Sequence, residues 1–549
     1  MITERFLLQE ALNTIHTSNL RHPDNQLIEC FLEDSADPNA SARYIFQNCP
    51  SDQGLLDFAS LLSDWKSIVC SCGTLQQPSP NKDIVSKVQA RDSDRCCLTR
   101  LKTSFFDPLI VMPIPRIVSL LSEVTLSKSQ FEMLQVFLGS DYNDLLNNAK
   151  ELDGPQNYWL VRRSAAIALS NGYFSFIFIK GDPVYNVCQV FIGDRNRPSI
   201  LDKIYTVTSG RFEDRSESGI PLPDISSLKA FSRFVHAIRW YQVSIAIVQK
   251  QHKPRTASLK PDVSVFYQFC EYGAVCFSAI CRLTPSLVRV QIYRGLWFLG
   301  AHLYGQSCSF NVQRLPFGIY LKKAMQRNHQ SLASEYGTLQ SLRRLTHIPV
   351  PRPLDLVSSS DDSYLLTTRL PGHPVGSCLD TMSDGDVDAF IHELQGYLSQ
   401  LRAISKPDSI RHAICNAVGG PCYDYRMIAG QDYDEEKGDL IEPFANEEDF
   451  NKKLQTGALP RVAHESGHKI VFTHGDINMR NILMHNPRIS GIVDWENAGW
   501  FPDYWEYTKA LFVTRVHRRW LRIMDRVFPV FGDFKDDLAI ERQLWEYCM

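Results

Sequence analysis

Three oxygen-bearing side chains follow one another at short spacing late in the chain: Asp476, Asn481 and Asp494. His474 and Gly475 stand directly before the first of them. Side chains of these types can orient a hydroxyl nucleophile and hold magnesium against the phosphates of a nucleotide. Asp476 would accept the proton of the hydroxyl group, and Asn481 and Asp494 would be the metal ligands. The pattern therefore predicts phosphoryl-transfer chemistry.

A predicted β-hairpin brings the two candidate metal ligands together, although they are 13 positions apart. Ile482–Met484 reads as one strand and Ile489–Val493 as a returning strand, with a polar turn between them. Because a hairpin returns the chain to its starting point, Asn481 and Asp494 should be neighbours. The alternative is a surface loop with chance polar residues, but the combined pattern is far more constrained than a bare His-Gly-Asp.

The segment from His474 to Glu506 resembles the aminoglycoside phosphotransferase (APH) and choline kinase-like families, especially their many fungal members. The likeness includes Trp495 and Glu496 after the second aspartate. It implies a two-lobed, protein-kinase-like fold and ATP and Mg²⁺ as cofactors. It also implies transfer of the γ-phosphate to a hydroxyl group of a small molecule. HGD in place of HRD, DWE in place of DFG, and the lack of a long activation segment all point away from protein kinases.

By the same resemblance, an upstream lysine should bind the α and β phosphates and a helical glutamate should hold it. Val312–Lys323 alternates like a strand and ends in two lysines. Lys322 occupies the family's position, and Lys323 would point to the opposite face. Glu335 shares a predicted helix face with leucines, where a carboxylate is costly unless paired, and Lys322 is its natural partner. A solvated lysine pair and an exposed glutamate are the alternatives.

Two further segments complete the nucleotide site that the resemblance implies. Tyr364–Gly372 looks like a strand and an interlobe hinge that contacts adenine, with Thr367 and Arg369 as nucleotide-binding candidates. No GxGxxG motif occurs, so we take the stretch containing Gly300 and Gly305 as the candidate phosphate-covering loop. Two glycines are a weak signal, and a plain turn explains them about as well.

The middle of the chain carries a second resemblance. Val88–Arg100 looks like the start of a fungal HNH-nuclease-type domain, and Asn157–Phe174 resembles the second half of that domain. Nuclease chemistry of this kind needs a histidine to activate water. Met112 stands where that histidine is expected, and alanines replace the later one. We therefore predict a degenerate HNH-like scaffold without nuclease activity, with accidental similarity as the alternative.

The length of 549 residues is too great for one ordinary core and predicts several domains. The predicted fold class is α+β, with a mixed region before a two-lobed APH-type domain. The predicted divisions are 1–85 for a helical region and linker, 86–255 for the HNH-like domain, and 263–549 for the phosphotransferase domain, whose lobes meet near 370/371.

Composition limits the partners and the location. The net charge of −3 indicates no global basic field, so it favours neither nucleic acid nor a membrane surface. The amino terminus has no apolar signal-peptide core, and no apolar run is long enough to span a bilayer. Fifteen irregularly spaced cysteines indicate reduced thiols. We expect a cytoplasmic protein, with a nuclear location as the alternative, and not a secreted one.

The acceptor and the activity stay open at this point. The insert at about 375–470 should form the acceptor pocket, and it holds an acidic run that would attract a cationic acceptor. Its members are Asp424, Asp432, Asp434, Glu435, Glu436 and Asp439. A solvated loop is the favoured explanation of this run. The alternative function is a catalytically inactive kinase-like and HNH-like binding or scaffold protein, suggested by the missing glycine-rich loop and histidines.

Overall fold

The computed structural model describes residues 2–49, 51–52, 55–73, 80–114, 126–148, 154–178, 184–190, 197–205, 210–252, 261–305, 311–428, 440–455, 457–485, 487–514 and 517–546. Helices and strands are mixed throughout. The chain divides into two compact units, Met1–Pro254 and Arg255–Met549. Within the described ranges, no helix combines the length and the hydrophobicity that a membrane span requires.

The first unit is mainly helical. Its helices are Ile2–Thr17, Asp24–Glu33, Pro38–Asn48, Ala59–Cys72, Lys82–Arg91, Lys128–Leu138, Ser140–Asn148, Arg163–Ser170, Ile200–Tyr205 and Ile225–His252, with a 3₁₀ turn at Pro155–Asn157. Its strands are Ser51–Asp52, Leu55–Leu56, Leu109–Pro113, Tyr158–Arg162, Phe174–Phe178, Val184–Gln189 and Gly210–Arg211.

One hydrophobic core runs through both regions predicted for this unit. Trp65 is fully buried, and its ring lies 4.7 Å from that of Phe137 and 5.8 Å from that of Phe234. The indole N–H of Trp65 donates to the carbonyl oxygen of Leu27 at 2.9 Å. The predicted boundary near residue 85 therefore does not separate two cores. Most of the predicted linker, at 74–79, lies outside the described residues.

The two segments that resemble HNH domains meet in this unit. Strands Leu109–Pro113 and Tyr158–Arg162 pair antiparallel, with Met112 opposite Trp159. Arg91 is fully buried and pairs with Asp92 at 3.0 Å, and Asp92 accepts the backbone N–H of Leu160 at 3.1 Å. The Arg91–Asp92 pair of the HNH-like segment thus binds the backbone of the strand Tyr158–Arg162. The likeness to HNH nucleases remains a prediction.

The second unit begins with the smaller lobe, where three helices pack against a four-stranded antiparallel sheet. The helices of the lobe are Pro261–Arg282, Ser286–Tyr304 and His329–Leu345. The strands, in sheet order, are Pro353–Ser358, Asp362–Thr368, Ile319–Met325 and Val312–Leu315. Val290 and Tyr293 of the second helix pack with Leu321 and Leu366 of the sheet. Ile319–Met325, which carries Lys322, is an inner strand of this sheet and pairs with Asp362–Thr368 on one side and Val312–Leu315 on the other.

The larger lobe follows. Its helices are Asp384–Arg402, Tyr425–Ile428, Glu447–Leu454, Trp505–Val513, Arg518–Val527 and Lys535–Trp545. Its strands are His373–Pro374, Cys415–Asn416, Cys422–Tyr423, Leu440–Ile441, Ile470–Thr473, Ile482–His485, Arg488–Ile492 and Gly499–Pro502. Ser383 forms a capping box with Asp386 at the start of the first helix. Fully buried Trp495, Trp505 and Trp520 contribute to the core of this lobe.

A buried ionic network joins the last helix to the body of this lobe. The imidazole of His464 lies 2.9 Å from Asp537 through Nδ1 and 3.0 Å from Glu541 through Nε2. Glu541 also pairs with Arg426 at 3.0 Å. Both ring nitrogens face carboxylate oxygens, so the protonated ring, in which both nitrogens donate, satisfies both contacts at once. Burial alone would lower the pKa of His464, but the hydrogen bonds to the two carboxylates outweigh it and raise the pKa above its usual value.

We expect His464→Gln to destabilise the protein by about 1.5–3 kcal/mol at acidic pH, since it removes charged hydrogen bonds. The folded-state pKa lies above the unfolded value of about 6.5. The contribution of His464 is therefore fully present below that pH and declines as pH rises through the folded pKa. Urea unfolding of both proteins across this range, with exposed His392→Gln as the control, measures the difference. A difference that grew with pH would contradict the assignment.

Candidate active site

Lys322 lies at the centre of an ionic cluster. Its ammonium nitrogen is 2.9 Å from Glu335, 2.6 Å from Asp494 and 2.7 Å from Glu496. An ammonium group has three N–H donors, and three carboxylates surround this one. The predicted pairing of Lys322 with Glu335 is present in the structure, and Lys323 instead pairs with Asp362 at 3.1 Å. One side chain thus links a strand, a helix and the segment after the hairpin.

Burial and opposite charge compete at each member of this cluster. Burial would lower the pKa of Lys322, but the three carboxylates outweigh it and raise the pKa well above the usual value. Burial raises the pKa of Glu335 and brings that of Glu496 to about 7. For Asp494, burial acts in the same direction, but the Lys322 ammonium outweighs it and lowers the pKa. Asp494 is therefore the carboxylate that is held ionised most firmly.

The same carboxylates form a set of hard oxygen donors. Oxygen atoms of Glu335, Asp494 and Glu496 lie within 4.8 Å of one another. Oxygen donors of this kind suit Mg²⁺. Sequence reasoning includes Glu496 only as part of a motif and does not predict its contact with Lys322. The sequence signal for this contact is the spacing: Glu496 stands two residues after Asp494, so in an extended segment the two share a face opposite the fully buried Trp495.

The hairpin brings Asn481 and the Asp494 segment together as predicted. Strands Ile482–His485 and Arg488–Ile492 pair antiparallel, and the N–H of Val493 donates to the carbonyl oxygen of Asn481 at 2.9 Å. The Asn481 amide in turn donates to Asp476, to its carboxylate at 2.8 Å and to its carbonyl oxygen at 2.9 Å. Asn481 therefore links the three polar residues, through its side chain to Asp476 and through its backbone to the residue before Asp494.

His474 and Gly475 hold the loop that carries Asp476. His474 is fully buried, and burial lowers the pKa of its ring. Its Nδ1 accepts the backbone N–H of Asp476 at 3.2 Å, so Nε2 carries the proton and donates to the carbonyl oxygen of Val493 at 3.0 Å. Gly475 has φ +78°, and a Cβ there would lie 2.4 Å from the carbonyl oxygen of Asn497. Neither residue is readily replaced.

Glu506 anchors this loop from a distant helix. Its carboxylate accepts the backbone N–H of His474 at 2.6 Å and that of Gly475 at 3.1 Å. Glu506 is 1% exposed, and burial raises its pKa. The sequence identified Glu506 only as part of the family likeness. Its anchoring role is visible only once the helix Trp505–Val513 is placed beneath the loop.

Lys509, a buried residue of the helix Trp505–Val513, affects the pKa of Asp476. Burial raises the pKa of Asp476 to about 6, and the charge of Lys509 acts in the opposite direction. Lys509 pairs with Asp424 at 2.6 Å, and both side chains are almost fully buried. The prediction of a solvated acidic run is therefore wrong for Asp424. The other members, from Asp432 to Asp439, lie outside the described residues.

The assignment of Gly300 to a phosphate-covering loop is wrong. This glycine lies inside the helix Ser286–Tyr304, and a Cβ there would meet the carbonyl oxygen of Arg314 at 2.4 Å. It permits close packing of the helix on the sheet, which explains a glycine without any phosphate. Gly305 ends the helix with φ +76°, and residues 306–310 lie outside the described residues.

The predicted hinge connects the two lobes. Thr367 lies in the strand Asp362–Thr368, and the N–H of Arg369 donates to the carbonyl oxygen of Gly318 at 2.8 Å. The backbone amide of Arg369 is therefore engaged within the smaller lobe. Gly372 has φ +101°, and a Cβ there would lie 2.4 Å from the carbonyl oxygen of Met484. The hinge thus passes close to the hairpin that carries Asn481 and Asp494.

Residues 319–528 match the model of the phosphotransferase enzyme family, APH. The matched segment contains Lys322, Asp476 and Asp494. The match makes this segment similar to phosphotransferases in general terms. It confirms the APH part of the predicted resemblance and a kinase-like fold in this part of the chain. The fungal likeness stays a prediction.

Several solved structures are similar to this chain, and no curated protein matches it. Aminoglycoside phosphotransferase APH(3'')-Id from Streptomyces rimosus is 16% identical, with 43% of this chain and 88% of that chain covered and a TM-score of 0.29. Aminoglycoside-3'-phosphotransferase of type VIII is 17% identical, with 45% and 92% covered and a TM-score of 0.29. The structure of the gentamicin–APH(2'')-IIa complex is 13% identical, with 47% of this chain and 90% of that chain covered and a TM-score of 0.31.

Proposed function

We propose that the chain transfers the γ-phosphate of ATP, with Mg²⁺, to a hydroxyl group of a small molecule. The observation that carries this proposal is the cluster in which Lys322 joins Glu335 to Asp494, with Asp476 and Asn481 on the adjoining loop. Lys322 and Glu335 are assigned to the nucleotide phosphates. The hinge at Thr367 and Arg369 is assigned to adenine.

The residues present fit a divalent cation. Asp494 and Glu496 offer carboxylate oxygens of one cluster, and the side-chain amide oxygen of Asn481 is the assigned further ligand. When bound, Mg²⁺ would neutralise charge on the transferred phosphate. Asn481 would bind the cation through its side-chain oxygen Oδ1, because its side-chain nitrogen Nδ2 donates to Asp476. Asp494 is suited to it because its carboxyl is held ionised.

Asp476 is assigned to the acceptor hydroxyl. The Asn481 amide and the His474 ring fix its backbone and carboxylate. One carboxylate oxygen accepts from Asn481, so the group is oriented before any substrate arrives. A carboxylate in this position can align a hydroxyl group and accept its proton as the bond to phosphorus forms. The acceptor itself is proposed only as a small-molecule alcohol.

The thermal stability of the purified chain tests the nucleotide part of the proposal. ATP with Mg²⁺ at about 100 times its dissociation constant should add about 2.7 kcal/mol of stability. Asp494→Asn should remove the Mg²⁺-dependent part of this gain, whereas exposed Asp533→Asn should retain it. A metabolite screen for ATP consumption then identifies the acceptor. No stabilisation by ATP, with or without Mg²⁺, would support the catalytically inactive binding protein instead.

Two further assignments belong to this proposal. Irregularly spaced cysteines support a cytoplasmic or nuclear location. A degenerate HNH-like role for the first unit is supported by the absence of histidine from the paired strands Leu109–Pro113 and Tyr158–Arg162. Without that side chain, the pair offers no group to activate water in the usual HNH manner.

A further inference from the structure

Two adjacent aromatic side chains project from the first unit. Phe105 and Phe106 are 93% and 94% exposed, and their rings contact each other edge to face at 5.2 Å. Single exposed apolar side chains are ordinary on protein surfaces. A contiguous pair that leaves nearly all of both rings in water is not ordinary, and such features mark interaction sites.

The loop that carries these rings is fixed at its base. Arg162 pairs with Asp107 at 3.1 Å and also donates to the carbonyl oxygen of Lys102. Asp107 accepts further hydrogen bonds from Ser164, at 2.9 Å from the backbone N–H and 2.7 Å from the hydroxyl group. These contacts hold the chain on both sides of the two phenylalanines. The rings are therefore presented outward by an ordered support.

Cations surround the base of the loop. Arg95 donates to the carbonyl oxygen of Arg100 at 3.3 Å, and the N–H of Arg163 donates to the carbonyl oxygen of Pro108 at 3.0 Å. The exposed cations are Arg95, Arg100, Lys102 and Arg163, against exposed Asp94. In the part of the chain that the structure describes, none of the four has a carboxylate partner. The net charge of −3 for the whole chain concealed this local basic surface.

Two further exposed apolar side chains belong to segments that adjoin the loop. Leu101 is 37% exposed and Ile167, on the helix that begins beside the loop, is 41% exposed. We call the loop 102–108 with its four cations the aromatic loop. It combines apolar rings at the tip with positive charge at the base. A matching partner would therefore have an anionic surface facing the cations and an apolar layer under that surface for the two rings.

We propose that the aromatic loop docks on the surface of an anionic phospholipid membrane. Phe105 and Phe106 enter the interface between headgroups and acyl chains, and the four cations face the anionic headgroups. Phenylalanine side chains of surface-binding segments bury apolar area at this interface, and each nearby cation is attracted to anionic lipid. Single-stranded nucleic acid, whose bases could stack on exposed ring faces, is the competing partner, and retention by an oligonucleotide is therefore one outcome of the test. The proposal does not depend on the phosphotransfer reaction.

Sedimentation of the full chain with phospholipid vesicles tests the proposal. We expect binding to phosphatidylcholine vesicles that contain about 30% phosphatidylserine, and little binding to phosphatidylcholine alone. Phe105→Ser with Phe106→Ser should lower the partition coefficient about tenfold or more. Arg100→Glu with Lys102→Glu should lower it similarly, and about 0.5 M salt should weaken wild-type binding.

Phe317→Ser is the matched control, since Phe317 is a 76% exposed phenylalanine in the other unit. It should leave vesicle binding unchanged, and thermal unfolding should show that all variants remain folded. The two independent variants keep the test decisive if one of them fails to fold. The proposal is overturned if the wild type ignores anionic vesicles, binds both compositions equally or keeps its affinity in the folded variants. Retention by a single-stranded oligonucleotide and not by vesicles would also overturn it.

Discussion

Asp476→Asn is expected to slow phosphoryl transfer about 10²–10⁴-fold, the usual contribution of a general base. The amide is the same size as the carboxylate, and its oxygen can still accept the hydrogen bond from Asn481. The loop should therefore keep its form. What is lost is the charge that aligns the acceptor hydroxyl group and accepts its proton. Nucleotide binding should persist, because the contacts of Lys322 do not include Asp476.

ATP turnover measured with the acceptor found by a metabolite screen separates these effects. Asp533→Asn, an exposed change of the same type in the same lobe, should turn over ATP at the wild-type rate. Calorimetric titration with ATP and Mg²⁺ should give similar dissociation constants for all three proteins. Equal turnover in Asp476→Asn would end its assignment as the base, while loss of binding would mean that the loop supports the nucleotide instead.

The sequence was most informative where contacts are local. Asn481 and Asp494 are joined by a hairpin whose strands alternate clearly and whose turn is polar, so their proximity follows from short-range rules. The helix after Ser383 was also predictable, since a capping residue is followed by a regular apolar stripe. Glu335 and Lys322 needed one further step, namely that a carboxylate on a buried helix face requires a cation.

Contacts between distant segments could not be predicted in this way. Glu496 approaches Lys322 from 174 positions further along the chain, and Glu506 reaches His474 across 32 positions. Periodicity carries no information on such pairs, because it describes only which face of an element is buried. Asp424 shows the same limit, since its sequence neighbours suggest a solvated run while Lys509 makes it a core residue.

Gly300 shows how a sequence signal can mislead. A glycine before the lysine strand was assigned to a phosphate loop, but here it lies in a helix that packs closely on the strand Val312–Leu315. Many apolar residues of this helix are exposed, among them Leu287, Phe298 and Leu303, so its amphipathic pattern is weak. A helix in that place became visible only in three dimensions.

Lys322→Met should have the other large effect, on both stability and nucleotide binding. Removing the ammonium leaves three close carboxylates without their shared cation. Loss of one partner from a fully buried ion pair destabilises proteins by about 3–5 kcal/mol, and the partial exposure of Asp494 and Glu496 lowers the expected cost here to about 3 kcal/mol or less. A lost charged hydrogen bond to phosphate, worth about 1.5–3 kcal/mol, should weaken ATP binding about 10- to 100-fold.

Lys323→Met makes the comparison sharp, because it removes the same charge one residue further along the same strand. Lys323 pairs with Asp362 and is 38% exposed, so its loss should cost at most about 1 kcal/mol. Denaturant unfolding and ATP titration of the two variants decide between the lysines. A larger loss of ATP affinity in Lys323→Met would transfer the phosphate contact to that residue. Since Glu335, Asp494 and Glu496 all lie 2.6–2.9 Å from the Lys322 ammonium nitrogen, whereas Lys323 pairs with Asp362, we expect the larger effects in Lys322→Met.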